Sequence, residues 1–331
     1  MKHLRTVLAN FEPRTPWFGV GRSLIAFAQL TVLVFTTPAS LLQPLLGTGP
    51  GPACNGVRSI TLYCIGGSEI PQELRRWVMV AMLVIVISGF LPRYTVWLHA
   101  WVSISLGWSI SLPDGGEQIA RIIVVLLVVI GLADNRTWHW TRPTKPRPRL
   151  LSSLALAALV GIRVQVAIVY FHAGISKFWT DDWANGSAEY YFIRDPLFGA
   201  SGLPYVILHD LTAIPIFVAL MTWGGILLEL LIAVLILGPR RWRERALGLD
   251  ILLHGFIIAT MGLWSFGLIM IGTAIVASAP HTLDPSPTPV TVRRLLGYVG
   301  VQIPRRAKQA SAAPRKPGIA TPEPALSQGG S

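Results

Sequence analysis

The chain has 331 residues, 52 % of them hydrophobic and 13 % charged, which is too apolar for a soluble domain of this size. Its net charge of +12 invites a nucleic-acid partner, but the distribution argues against one. The basic residues collect in the N-terminal segment (Lys2, Arg5, Arg14), in Arg136 to Arg149, in Arg240 to Arg245 and in the tail, which are the loops that the positive-inside rule places on one side of a membrane.

Several uncharged runs approach the ~20 residues needed to cross a bilayer. Every backbone polar group must be satisfied internally there, and the alternating short strands of an outer-membrane barrel are missing. The expectation is an all-α, polytopic transmembrane helical bundle of about eight spans. The N-terminus does not read as a cleavable signal, because about twenty residues precede the first apolar run.

In chain order, residues 1–21 form a cytoplasmic segment and the first span runs from about Arg22 to Leu42. An outer loop, 43–76, carries Cys54 and Cys64. Two cysteines in an oxidising compartment predict a Cys54–Cys64 disulfide, and no histidine stands in the loop to make them a metal pair. Spans at 77–91 and 94–112 follow, joined by a tight Pro92-Arg93 turn, and the outer turn 113–118 leads into a span at 119–133. The Pro-rich basic loop 134–149 lies inside and extended. The fifth span, 151–177, ends on Lys177, and the outer loop 178–215 contains a short interfacial helix near 203–211. A sixth span occupies 216–237. The apolar stretch 246–279 is too long for one span, so a turn at Gly262 to Gly267 divides it into two short ones. The transmembrane domain is thus 22–279. The tail, 280–331, is rich in Pro, Ala, Ser, Arg and Lys and reads as a disordered, cytoplasmic basic segment.

Chemistry concentrates where the fifth span ends. Tyr170 to Gly186 reads YFHAGISKFWTDDWANG, so a membrane helix delivers Lys177 to an acidic, tryptophan-rich loop holding Asp181, Asp182 and Trp183. A desolvated ammonium loses its proton more readily and becomes a usable base. The competing reading is a lysine that only snorkels to the headgroups. Arg163, Tyr170 and Lys177 recur every seven residues on one helical face, with Gln165, His172 and Ser176 on a neighbouring stripe. Glu229 and His254 fall at matched depth in neighbouring spans and are expected to pair, as interhelical glue or as part of a site. A second polar cluster is the DGGEQ turn: Asp114, Glu117 and Gln118, with Arg121 a turn further on. It is either a dipole-stabilised helix start or a second wall of the cavity that Lys177 faces.

At these residues the sequence resembles a known family. QVAIVYFHAGISKFWTDDWANG looks like the signature of HTTM-domain membrane proteins, which include vitamin K-dependent gamma-glutamyl carboxylase. The paired cysteines, LPRYTVWLHAWVSIS, DGGEQIARIIVVLL and LADNRTWHW are similar to the SdpB branch, and the likeness covers roughly residues 15 to 280. The branch implies a bacterial cell-membrane protein, both termini cytoplasmic, needed to produce an SdpC-like secreted antimicrobial peptide, with an SdpA-like partner protein. The carboxylase signature implies a catalytic base at Lys177; the DGGEQ turn adds Asp114 and Glu117 as further candidates from the reading of the residues themselves. The remaining residues, Tyr170, His172, Ser176, Asp181, Asp182, Trp183, Gln118 and Arg121, would bind substrate or a lipid-soluble quinol such as reduced menaquinone or vitamin K. Ser176 stands where the carboxylase has a second lysine, and Glu117 and Gln118 stand where it has a histidine. The expected function is maturation of the toxin peptide. The alternatives are a membrane chaperone or export partner of its precursor, or an immunity protein.

Overall fold

The computed structural model describes residues 11–44, 51–146, 148–196 and 198–280; the tail from 281 onward lies outside them. Eight principal helices stand among these residues: α1 (Pro16–Phe35), α2 (Gln72–Ser88), α3 (Pro92–Ser109), α4 (Gly115–Leu132), α5 (Arg149–Ser176), α6 (Pro215–Ile236), α7 (Arg240–Met261) and α8 (Trp264–Ala277). No strand occurs among the described residues, apart from a single bridge between Phe90 and Trp138. Four helices are long and apolar enough to cross a membrane: α1, α4, α5 with the turn that extends it to Trp179, and α6. The chain is an all-α membrane bundle.

Each expected span has its helix, but the ends move for physical reasons. The first begins at Pro16 rather than Arg22, because Arg22 is not a boundary residue. It is buried, and its guanidinium donates to the Pro92 carbonyl and to Thr95 Oγ1, each at 3.3 Å. The second begins at Gln72, ahead of the apolar run. Its Arg76 reaches the Leu33 carbonyl at the end of α1 (2.8 Å) and satisfies an orphan acceptor there. In the last pair, Gly262 takes a left-handed φ of 68° and ends α7. Helix α8 restarts at Trp264.

Close helix contacts rest on small residues. On α1 a Cβ added at Gly21 would lie 2.6 Å from the Gly272 carbonyl of α8, and one at Gly272 would lie 2.9 Å from the Gly21 carbonyl. The two backbones therefore approach without intervening side chains. The basic loop packs against the α2–α3 turn: His139 N–H donates to Gly89 O (3.0 Å), and Leu91 N–H to Thr137 O (2.7 Å). Burial, then the nearby Arg22, hold the His139 imidazole down at about 3, so it is a neutral wedge in that joint. In the loop between α1 and α2, Cys54 and Cys64 form a disulfide.

Candidate functional site

Helix α5 has 28 residues, roughly 42 Å at 1.5 Å per residue, longer than the ~30 Å hydrocarbon core. Its last turns therefore project, and the chain breaks into a tight turn at Lys177–Trp179 before a short helix, Asp181–Ala184. This puts Lys177 at the rim of the bundle, opposite α6. Lys177 Nζ donates to both carboxylate oxygens of Glu229, 2.6 Å to Oε1, and to the Ala173 carbonyl at 3.4 Å. The ammonium also lies 5.0 Å from the centre of the Trp183 ring. Both partners are largely shielded, with side chains 21 % and 15 % exposed.

The pair sits on the wall of a cavity of about 550 Å³ between α6, α7 and the short helix Ala188–Arg194. Leu220, Leu228, Phe256 and Phe266 make most of it apolar, and Trp183 and Glu189 also line it. Gly224 and Gly225 lie on the α6 wall, and an added Cβ at either would touch nothing within 4 Å. The volume falls in the range of small-molecule sites, and apolar walls with a few convergent polar groups are their usual chemistry.

Two polar networks lie in the helix interior. Tyr170 of α5 bridges Asp250 and His254 of α7: its hydroxyl bonds Asp250 Oδ1 and lies 2.7 Å from His254 Nε2. The His254 ring stacks edge-on against the cavity residue Phe266 at 5.2 Å. The other network centres on Gln29 of α1, whose Nε2 donates to Glu117 Oε2 at 2.9 Å. Its Oε1 accepts from Ser103 at 2.9 Å and faces His99 Nε2 at 3.2 Å.

Residues 121–280 match the HTTM domain family. The chain is 31 % identical over 285 residues to sporulation-delaying protein SdpB of Bacillus subtilis (strain 168), covering 85 % of this chain and 87 % of that one. The chain belongs to the SdpB-like HTTM family. Uncharacterized protein YitO of the same organism is 33 % identical over 301 residues, 89 % of this chain and 96 % of its own. No solved structure matches.

In this SdpB-like protein the expected residues divide among several places. Lys177 and Trp183 share the cavity with Glu229. Asp181 and Asp182 are exposed at the start of the short helix beside it. Tyr170 serves the network with Asp250 instead of lining the cavity wall. His172 and Ser176 open onto a different groove, an apolar one between α5 and the far end of α6. Gln165 is half-buried on α5.

The expected Glu229–His254 pair does not form. Matched depth brought the two helices into register, but Glu229 faces α5 and Lys177, whereas His254 faces Tyr170. The DGGEQ turn does not face the Lys177 cavity either. Asp114 caps α4 by accepting from Glu117 N–H at 2.8 Å, Glu117 turns inward to Gln29, Gln118 reaches Pro113 O at 3.4 Å, and Arg121 lies against Gly107 of α3. The turn reaches the cavity residue Phe266 through its glycines: Gly115 packs on the ring and Gly116 on the backbone. Arg163 is structural: it donates to the Ala277 and Ala279 carbonyls at 2.8 and 2.7 Å and closes the C-terminal end of α8.

Two residues escaped the sequence reading. Asp250 was detectable, since Asp and His four apart on an apolar helix share one face. Glu189 was not, because it lies in the connection between α5 and α6 and nothing in the local sequence says that it turns toward the cavity.

Proposed function

We propose that this protein is a multi-pass component of the bacterial cell membrane required for the production of a secreted, SdpC-like toxin peptide, working beside an SdpA-like partner. Both termini are cytoplasmic in this reading, and the cavity opens toward the outer face. The observation that carries it is the half-open, largely apolar cavity with Lys177 at its rim, in a chain related to SdpB over most of its length. The peptide, or a lipid-soluble quinol such as reduced menaquinone or vitamin K, would bind there, and neutral Lys177 would take a proton from it. The second reading is a chaperone or export partner without chemistry. The Lys177–Glu229 ion pair favours it, since the donors of Lys177 are already committed to a carboxylate and a backbone carbonyl.

A mass comparison of the peptide made with and without this protein separates the two. A mass change or cleavage that depends on the protein marks an enzyme, and an identical peptide in reduced amount marks a chaperone. Lys177→Ala should abolish active peptide while the protein still accumulates in the membrane. Lys177→Arg keeps the charge but cannot lose its proton at working pH, so full activity in that variant would leave only the chaperone reading.

A further inference from the structure

A lysine at the rim suggests a cavity that attracts anions, but the arrangement of charges says otherwise. Three ionisable residues line the cavity among the described residues: Lys177, Glu189 and Glu229. The three donors of the Lys177 ammonium are taken by the two Glu229 oxygens and the Ala173 carbonyl, and its open face by the Trp183 ring. The hydrogen bonds of Lys177 go to Glu229 and Ala173 and none to Glu189, and the three ionisable groups together leave one negative charge in excess.

Glu189 is placed deliberately. It opens the first turn of Ala188–Arg194, and its backbone N–H donates to Thr222 Oγ1 of α6 at 3.2 Å. Arg194 of the same short helix donates to Thr212 Oγ1 at 2.8 Å and stacks on Tyr190. The segment is thus tied down at both ends. The Glu189 carboxylate has no hydrogen-bond partner among the described residues, and apart from Lys177, Glu229 and Thr260 the cavity is lined mostly by apolar side chains. Glu189 is half-buried, so a cation held against its carboxylate would gain a charge contact in a partly shielded site.

We propose that the cavity binds an amphiphile with an apolar chain and a cationic head, the chain lying between α6 and α7 and the head at Glu189. The same chemistry is offered by an apolar peptide segment with a free amino group and by a long-chain lipid amine. The inference uses the same cavity as the proposed function but requires no reaction there. Binding to the purified protein is independent of toxin production, so either can fail alone.

The test uses the full-length protein in nanodiscs of zwitterionic lipid, so that the bilayer itself does not select for charge. Three photoreactive decyl probes differ only in the head: trimethylammonium, hydroxyl or carboxylate. Cross-linked sites are mapped by mass spectrometry. The cationic probe should label the α6 and α7 walls at least about tenfold more than the hydroxyl probe, the equivalent of one unscreened charge contact. The carboxylate probe should label least. Glu189→Gln should bring the cationic and hydroxyl probes to equal labelling, and Gly225→Trp, which fills the cavity, should remove the adducts. Competition identifies the source. An apolar hexapeptide that displaces the probe only when its amino terminus is free marks a peptide ligand, and displacement by decylamine but by neither peptide form marks a lipid amine. Equal labelling by the three probes in the wild-type protein overturns the proposal whether or not the variants fold. So does stronger labelling by the carboxylate, or a cation preference that survives in Glu189→Gln.

Discussion

At the scale of single residues, Lys177 and Glu229 act as one unit, and this can be measured. Hydrogen bonds to charged groups contribute about 1.5–3 kcal/mol when removal leaves the partner shielded from water. Glu229→Gln should therefore lower the melting temperature of the solubilised protein, as should Lys177→Ala. The double variant should lose clearly less than the sum of the two, and additive losses would show that the pair does not couple. Glu189 gives a pH dependence with a definite sign. Burial, opposed by the Lys177 charge, raises its carboxyl above the ordinary value of 4.5. The groups facing it across the cavity are Lys177 and Glu229. Above the raised pKa the carboxylate is charged and the cation preference is present, and it fades as pH falls through that value. Stability runs the other way: the folded state holds the proton more tightly than the unfolded chain, so Glu189's contribution is present below its unfolded pKa and is lost as pH rises through the folded one. Cationic-probe labelling followed from neutral to mildly acidic pH should decline in the wild-type protein and stay flat and low in Glu189→Gln. A flat wild-type profile would remove Glu189 as the cation's partner.

At the scale of elements, the helices were legible from apolar runs, four of them long and apolar enough to cross a membrane, and the disulfide from two cysteines in one loop. The turn that splits the last pair of helices was legible from Gly262. Helix ends were less so, because arginines that look like boundary markers, Arg22 above all, are drawn inside by backbone carbonyls of neighbouring segments. Lys177 and Trp183 could be assigned to one site because a helix end and the loop after it are adjacent by necessity. Its partner Glu229 was assigned to His254 instead, since depth along a helix is readable from sequence but rotation about its axis is not. The same ignorance of rotation put the DGGEQ turn on the cavity, when Glu117 faces inward to Gln29. The α1–α8 contact depends on glycine in a way that can be tested. Gly21→Val would drive a side chain into the Gly272 carbonyl and Val276. Overpacking of this kind costs about 1–3 kcal/mol. Gly248→Ala on α7, where an added Cβ meets nothing within 4 Å, should instead be neutral or stabilising by up to about 1 kcal/mol. Thermal unfolding of the two solubilised variants beside the wild type checks this, and equal melting temperatures would mean that the α1–α8 contact tolerates a branched side chain.

At the scale of the whole molecule, the orientation of the bundle decides whether the cavity can serve a secreted peptide at all. Helix α5 leaves the basic loop Arg136 to Arg149 and ends at Lys177, and α6 returns to the basic segment Arg240 to Arg245. The two ends of α5 and of α6 therefore differ sharply in positive charge, and the positive-inside rule predicts that the basic ends face the cytoplasm. The cavity lies at the other end, with Lys177, Trp183 and Glu189. A disulfide in the loop before α2 is consistent with the same side, since such bonds persist in oxidising compartments. Impermeant thiol labelling provides the measurement, with little background because both native cysteines are paired. Thr180→Cys, beside Lys177, should react in intact cells. Arg241→Cys, at the start of α7, should react only after the membrane is opened. The reverse pattern would turn the cavity toward the cytoplasm and restrict it to peptide that has not yet been exported. Labelling of Thr180→Cys from outside would instead place Lys177, Glu229 and Glu189 on the side that, in the proposed function, an exported peptide would reach.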